Sequence, residues 1–168
     1  MPYVPLVVDV DRAVIVGAGN VARRKARTLV DLGVDVTVVS PDRPDWVDDL
    51  GADHLRRRVE SPDDLPEADL YVAATDDPDL NARLESELPL VNRVDVDEPR
   101  VRFPSVLRRG DALLAISTGK PRVTRALRML AAELLGEPLR RAAELPEEAR
   151  EWSLERVLSE LTGLPRGD

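Results

Sequence analysis

Along the first ninety residues, apolar positions fall into short unbroken or alternating runs, separated by stretches of helical period. Ala13-Val14-Ile15-Val16 predicts a buried strand, Val21 to Leu32 a helix closed by Gly33, and Val34-Asp35-Val36-Thr37-Val38-Val39 a second strand. Asp45 to Leu50 reads as a short helix. Leu55 to Val59 reads as a third strand, whose interspersed arginines mark an exposed side or an edge. Pro62 and Pro66 mark a loop. Leu70-Tyr71-Val72-Ala73-Ala74 is a buried fourth strand, Pro78 to Leu88 a helix with proline at its first position, and Leu90 to Val94 a fifth strand. Strands that alternate with helices in this way specify the α/β class: a Rossmann-like, doubly wound parallel sheet.

The rhythm changes after Val94. Val101 to Leu107 and Ala112 to Ser117 read as two strands of a hairpin joined at Arg109-Gly110-Asp111. Val123 to Leu135 reads as a helix stopped by Gly136 and Pro138. Pro146 to Leu161 reads as another, with Leu154, Val157, Leu158 and Leu161 on one face. Two uses of that helical tail stand open, a dimerisation element or a cover for the chain's own sheet.

The turn Gly17-Ala18-Gly19-Asn20-Val21-Ala22 follows the first strand directly and opens the first helix. Gly17 permits a tight turn, Gly19 lets backbone approach a phosphate, and the small Ala22 lets helix and strand pack closely, which is how a dinucleotide pyrophosphate is held at a helix N-terminus. Alone, the same pattern also suits an ordinary glycine-rich turn. Ligands of open α/β sheets bind beyond the carboxyl ends of the strands. That rule gathers four turns: Gly17 to Ala22, Ser40-Pro41-Asp42, Ala74-Thr75-Asp76-Asp77 and Arg93-Val94-Asp95. Asp42, facing a ribose, would disfavour a 2′-phosphate and select NAD over NADP; it is equally a turn residue after Pro41. Asp95 is the candidate acid–base group, with turn capping as its structural alternative. As a base it calls for a pKa raised by burial, which neighbouring arginines oppose. His54, the single histidine, lies in a polar stretch read as exposed.

Composition narrows the field. The 168 residues include five aromatics and no cysteine, so the core is aliphatic, and disulfides, thiolate metal sites and a cysteine nucleophile are excluded. With one histidine, a metal cage could be assembled only from carboxylates, and no metal site is expected. No apolar run approaches the roughly 20 residues of a membrane span, and a soluble, unprocessed, cytoplasmic protein is the expectation. Lys25 and Lys120 are the only lysines among 24 basic residues, against 32 acidic ones, a balance that suits concentrated salt or a GC-rich genome. Within a net charge of −8, the segment Arg93 to Arg128 carries nine basic and four acidic residues. A small polycarboxylate fits such a segment better than nucleic acid, because arginine grips carboxylates bidentately and the remaining surface repels phosphates. Each arginine could instead be solvated and paired with a nearby acid.

The ordered set VIVGAGNVARRKARTLVDLGVDVTVVSP, VAATDDPDLNARL, LVNRVD, FPSVLRRGDALLAISTG and RALRMLAAEL resembles the precorrin-2 dehydrogenase family of sirohaem biosynthesis over roughly residues 12 to 135. The resemblance implies an NAD-binding domain over 1–95, a central dimerisation region over 96–122, a helical C-terminal region over 123–168, and a homodimer. It implies NAD-dependent oxidation of precorrin-2 to sirohydrochlorin. The family's essential aspartate falls on Asp95. Nucleotide contacts fall on Asn20, Val21, Pro41 and Asp42, joining Gly17, Gly19, Ala22, Ala74 and Thr75. A phosphorylatable serine of the bacterial enzyme is replaced by Thr118. Precorrin-2 bears eight carboxylates, which gives the basic segment a use; Arg102, Arg109, Ser117 and Thr118 are the candidate substrate contacts.

Two departures qualify the likeness. After Ser117-Thr118-Gly119 the chain runs about two residues shorter than the family pattern, and nothing corresponds to the methyltransferase domain of the bacterial fusion. Iron insertion stays open. A non-catalytic NAD-sensing module and a chelatase are the other functional readings of these residues.

Overall fold

The structure, a computed structural model, describes Val4, residues 6–110 and residues 112–163. The chain forms two compact units that divide between Arg102 and Phe103. The loop after Asp95 folds back onto the first unit, where the backbone N–H of Arg100 donates to Glu85 at 2.9 Å.

In the first unit, strands β1 (Arg12–Val16), β2 (Asp35–Ser40), β3 (Asp53–Arg56), β4 (Leu70–Ala73) and β5 (Val91–Arg93) form one sheet in the order β3-β2-β1-β4-β5, every pair parallel. Helix α1 (Asn20–Val30) connects β1 to β2, α2 (Trp46–Leu50) connects β2 to β3, and α3 (Pro78–Glu87) connects β4 to β5. The chain winds outward from β1 through β3 and then returns to the other side of β1, so the topological switch lies between β1 and β4.

Each element follows from its residues. Ala13 to Val16 are all within 2 % of fully buried, as a central parallel strand requires. On α1, Ala22, Ala26 and Leu29 recur at helical spacing and are buried, and the two alanines permit close contact. Asp77 caps α3 by accepting from the N–H groups of Asp79 and Leu80 at 3.0 Å, ahead of Pro78 at the first position. One face of the sheet and α3 share the core Val14, Val16, Val39, Tyr71, Ala73, Leu84 and Val91.

The third strand is an edge, as its arginines suggested, but it lies two residues earlier than predicted, at Asp53–Arg56 rather than Leu55–Val59. Its length is set by its partner: β2 ends at Ser40, opposite Arg56, and the Arg57 N–H to the Ser40 carbonyl (3.2 Å) is the last rung. His54, read as exposed, is half-buried at the same edge.

The second unit is a hairpin of β6 (Ser105–Arg109) and β7 (Ala112–Ile116), with helices α4 (Pro121–Ala143) and α5 (Leu154–Thr162). The first hairpin strand begins at Ser105 rather than Val101, after Pro104, whose nitrogen carries no hydrogen for a ladder. Of the predicted turn, Asp111 lies outside the described residues.

Two helix predictions need correction. Gly136 and Pro138 do not stop α4, which runs 23 residues. Packing against β6 and β7 and the ion pairs of Arg140 with Glu137 and Glu144 (2.6 Å each) and of Arg141 with Glu137 (3.1 Å) carry the helix past both residues. The second prediction, Pro146 to Leu161, is instead a 3₁₀ turn at Glu147–Glu151 followed by α5. Trp152 and Ser153 are extended between them, and the Ser153 hydroxyl caps α5 by accepting from the Arg156 N–H at 3.3 Å. Among the described residues of this unit, Leu107 is the one buried hydrophobic side chain.

Gly17 adopts φ +107°, and a Cβ there would collide with the Ala74 carbonyl, whereas Gly19 has φ −73° and nothing within 4 Å of where its Cβ would stand. Gly17→Ala is therefore expected to lower stability by about 2 kcal/mol or more. Gly19→Ala should stay within about 1 kcal/mol of wild type. Chemical denaturation followed by far-UV circular dichroism checks the contrast, and equal midpoints for the two variants would refute it.

Candidate functional site

The carboxyl ends of the strands are joined by backbone hydrogen bonds that continue past the sheet itself. The Gly17 N–H donates to the Val39 carbonyl (2.9 Å), the Ala74 N–H to the Val16 carbonyl (2.9 Å), and the Val94 N–H to the Ala73 carbonyl (3.1 Å). The turns after β1, β2, β4 and β5 thus form one crest, as strand order alone demanded.

At the centre of the crest, Gly17 turns against Ala74 and Thr75, and Gly19 stands at the N-cap of α1 without any side-chain capping bond. Nothing in the chain itself explains glycine at position 19, since its backbone angles suit any residue and its surroundings are open. A bare backbone there suits a ligand that must come close to it, and the uncapped N–H groups of α1 suit an anion. Asn20 is exposed, Val21 half-buried and Ala22 fully buried against the sheet. The residues therefore fit a dinucleotide pyrophosphate. Trp46, which sequence reasoning passed over, holds this turn from α2 by donating its indole N–H to the Ala18 carbonyl at 3.2 Å.

After β2, Ser40 occupies the position where a ribose-binding acid commonly stands, and it is buried, 3 % exposed. Its hydroxyl lies 2.6 Å from the Asp42 carbonyl and 3.0 Å from Nε2 of His54. Ser40 is thereby turned inward, while Pro41 and Asp42 are exposed on the crest. The single histidine serves as an anchor for this loop.

After β4, Ala74 and Thr75 are half-buried, and Asn81 of α3, fully buried, organises them. Its Oδ1 accepts from the Thr75 N–H (3.2 Å) and hydroxyl (2.7 Å), and its Nδ2 donates to the Thr75 carbonyl (3.1 Å). The neutral Asn81 amide is also among the weaker influences that favour the Asp95 carboxylate. One buried amide therefore fixes the turn after β4.

Asp95 is an exposed residue whose carboxylate is nevertheless largely covered, with its side chain 23 % exposed. Arg93 covers it, donating Nε to Oδ1 at 2.8 Å and Nη2 to Oδ2 at 2.9 Å. The opposition from neighbouring arginine prevails over burial here. Hydrogen bonding from Arg93 outweighs desolvation and holds the Asp95 carboxyl below the usual carboxylate range, so the group is ionised at neutral pH. Arg93 is the last residue of β5 and Asp95 lies in the bend that follows it, so the pair closes across the strand end.

The candidate substrate residues are divided between the units. Arg102 belongs to the first, half-buried, with Nη2 donating to the Asp97 carbonyl at 2.6 Å. Arg109, Ser117 and Thr118 belong to the second and are exposed. Arg109 donates to the Arg108 carbonyl (2.9 Å), and the Thr118 hydroxyl lies 2.7 Å from that of Thr124, closing the loop before α4. Among the described residues no helix is long and apolar enough to cross a membrane.

Residues 6–105 match the profile of a family described as putative NAD(P)-binding. Siroheme synthase 2 of Aeromonas hydrophila is 37 % identical over 176 residues, covering 96 % of this chain and 36 % of that protein. The siroheme synthase of Tolumonas auensis is 34 % identical over 177 residues, covering 99 % and 37 %. The chain thus spans little more than a third of these curated relatives. The solved structure of "SirC, precorrin-2 dehydrogenase" superposes with a TM-score of 0.67 over 97 % of this chain and 88 % of its own, at 24 % identity, which establishes a shared fold. Since the profile match spans both the glycine turn and the Asp95 loop, the chain belongs to the putative NAD(P)-binding family.

Proposed function

We propose that the protein is an NAD-dependent dehydrogenase that oxidises precorrin-2 to sirohydrochlorin. The observation that carries this reading is the crest itself, where the Ala74 N–H on the Val16 carbonyl and the Val94 N–H on the Ala73 carbonyl bring the glycine turn that fits a dinucleotide and the loop of the ionised Asp95 carboxylate to neighbouring strand ends. The names of the relatives, siroheme synthases and a precorrin-2 dehydrogenase, supply the substrate class.

Gly17, Gly19, Asn20 and Val21 would hold the pyrophosphate, and Pro41 and Asp42 the adenosine ribose. Asp42 is the free acid near that ribose, since Ser40 faces inward, and its charge selects NAD over NADP by repelling a 2′-phosphate. The bound nicotinamide supplies a two-electron hydride acceptor. The product differs from the substrate by two hydrogens, one leaving with its electron pair as hydride and the other as a proton. Asp95, already ionised, accepts that proton. Arg102 of the first unit is proposed to bind substrate carboxylates, as are Arg109, Ser117 and Thr118 of the second, each by the chemistry of its own side chain.

The working form is proposed to be a homodimer. Leu113, Met129, Leu130 and Leu134 of the second unit are each at least half exposed, apolar side chains that a partner copy would cover.

Anaerobic precorrin-2 and NAD, mixed with the protein, should yield NADH and sirohydrochlorin together; NAD binding without tetrapyrrole binding would mark a redox-sensing module instead. Asp95→Ala should slow turnover by about 10²- to 10⁴-fold while retaining NAD affinity, and wild-type turnover in this variant would remove Asp95 from the mechanism. Gly19→Asp should abolish NAD binding by crowding and repelling the pyrophosphate, as read by calorimetric titration. In analytical ultracentrifugation the protein should sediment at twice its 18.6 kDa, and the pair Leu130→Glu and Leu134→Glu should bring it to the monomer mass. A monomeric wild type would end the dimer proposal.

A further inference from the structure

Arg93 was grouped by its sequence position with arginines that could meet an anionic substrate, yet the structure leaves it no direction in which to do so. Its side chain is 15 % exposed. Nε and Nη2 form a two-pronged grip on Asp95 at 2.8 and 2.9 Å, Nη2 also reaches the Pro78 carbonyl at 3.3 Å, and Nη1 lies 4.0 Å from Glu85. Pro78 and Glu85 are two turns apart on α3, so they meet the guanidinium from one face of that helix. Glu85 is itself fixed, 17 % exposed and accepting the Arg100 N–H at 2.9 Å. The charged groups bearing on the pair are Asp79 and Glu85, which favour the charged guanidinium, while the neutral amide of Asn81 weakly favours the carboxylate.

From this arrangement we infer that Arg93 is a positioning residue for the oxidation: it fixes the Asp95 carboxylate in one orientation and in its ionised form, and it is not a substrate ligand. The inference rests on the role proposed above for Asp95. A fork anchored on α3 holds both carboxylate oxygens, so the remaining lone pairs point in defined directions. Because Arg93 disfavours the protonated acid, a proton accepted from substrate is passed on rather than kept, and the base is restored for the next turnover. Lysine could supply the charge at this position but not the fork.

The test uses the full chain with ¹³C-labelled aspartate. The Asp95 carboxyl resonance, assigned by its loss in Asp95→Asn, should titrate below the ordinary aspartate value of about 3.9. In Arg93→Gln its midpoint should rise to that value or above, and in Arg93→Lys it should stay below. Steady-state assays should show kcat reduced by about 100-fold in both Arg93 variants, with KM for NAD unchanged. An unmoved Asp95 midpoint in Arg93→Gln overturns the inference, as does wild-type kcat in either variant. If Arg93→Gln does not fold, Arg93→Lys decides alone: a low midpoint with reduced kcat supports the inference, and wild-type kcat refutes it. Full turnover in Asp95→Asn would sink the mechanism instead, while the titration would still report whether Arg93 governs the carboxylate.

Discussion

Because the backbone of Gly17 lies against the Ala74 carbonyl, with no room for a Cβ, β1 and β4 leave the sheet at the same level. The Ala74 N–H to the Val16 carbonyl on one side and the Gly17 N–H to the Val39 carbonyl on the other then pin three loops to one another. A larger residue at position 17 would force β1 and β4 apart at the switch point, where a parallel sheet opens the crevice its ligands use. The placement of the glycine turn, the Ser40 loop and the Thr75 turn beside one another follows from that single close approach. Gly19 answers a different demand. It relieves no strain in the chain, so its value lies in the space it leaves.

The second organising principle is electrostatic and extends the crest to Asp95. A carboxylate on a flexible loop after a three-residue strand would sample many orientations. Here the loop is held at its base by the Val94 N–H on the Ala73 carbonyl and at its tip by the Arg93 fork. Burial alone would have pushed the acid toward its neutral form, and the arginine reverses that balance. The carboxylate is thereby ionised at neutral pH before any ligand binds, and in the proposed role it starts each turnover as the base, unlike the desolvated carboxyl that a base with a pKa near neutrality calls for.

The first unit was legible because its signals are local. Apolar runs too short for a helix, Gly17 and Gly19 between strand and helix, and Asp77-Pro78 ahead of Asn81 each declare an element without reference to anything distant. What escaped depended on partners. β3 ends where β2 ends, so its bounds were invisible in its own residues. Trp46 and His54 acquire their roles from the Ala18 carbonyl and the Ser40 hydroxyl, 28 and 14 residues away. Arg93 looked like one more basic residue in a basic segment until α3 was placed beside it. The glycine and proline inside α4 were misread for a related reason, since a cost of about 1 kcal/mol for glycine and 3 for proline is decisive in an isolated helix but not in one supported by packing and by the Glu137, Arg140, Arg141 and Glu144 network.

That network also indicates how the second unit is built. Its charges stabilise the C-terminal half of α4 along the surface, while Leu127, Leu130 and Leu134, at the spacing of successive turns, stay exposed together with Leu154 and Leu158 of α5. A hairpin and two helices in which Leu107 is the one buried hydrophobic side chain among the described residues derive little stability from their own core, because apolar area left in water contributes nothing to folding. On the proposed dimer, the surface that covers these leucines also sets the positions of Arg109, Ser117 and Thr118, which lie on the hairpin and the loop before α4. Association would then be a condition for an ordered substrate site as well as for stability, and substitutions in the leucine face should raise KM for the tetrapyrrole while leaving NAD affinity, a property of the self-contained first unit, unchanged.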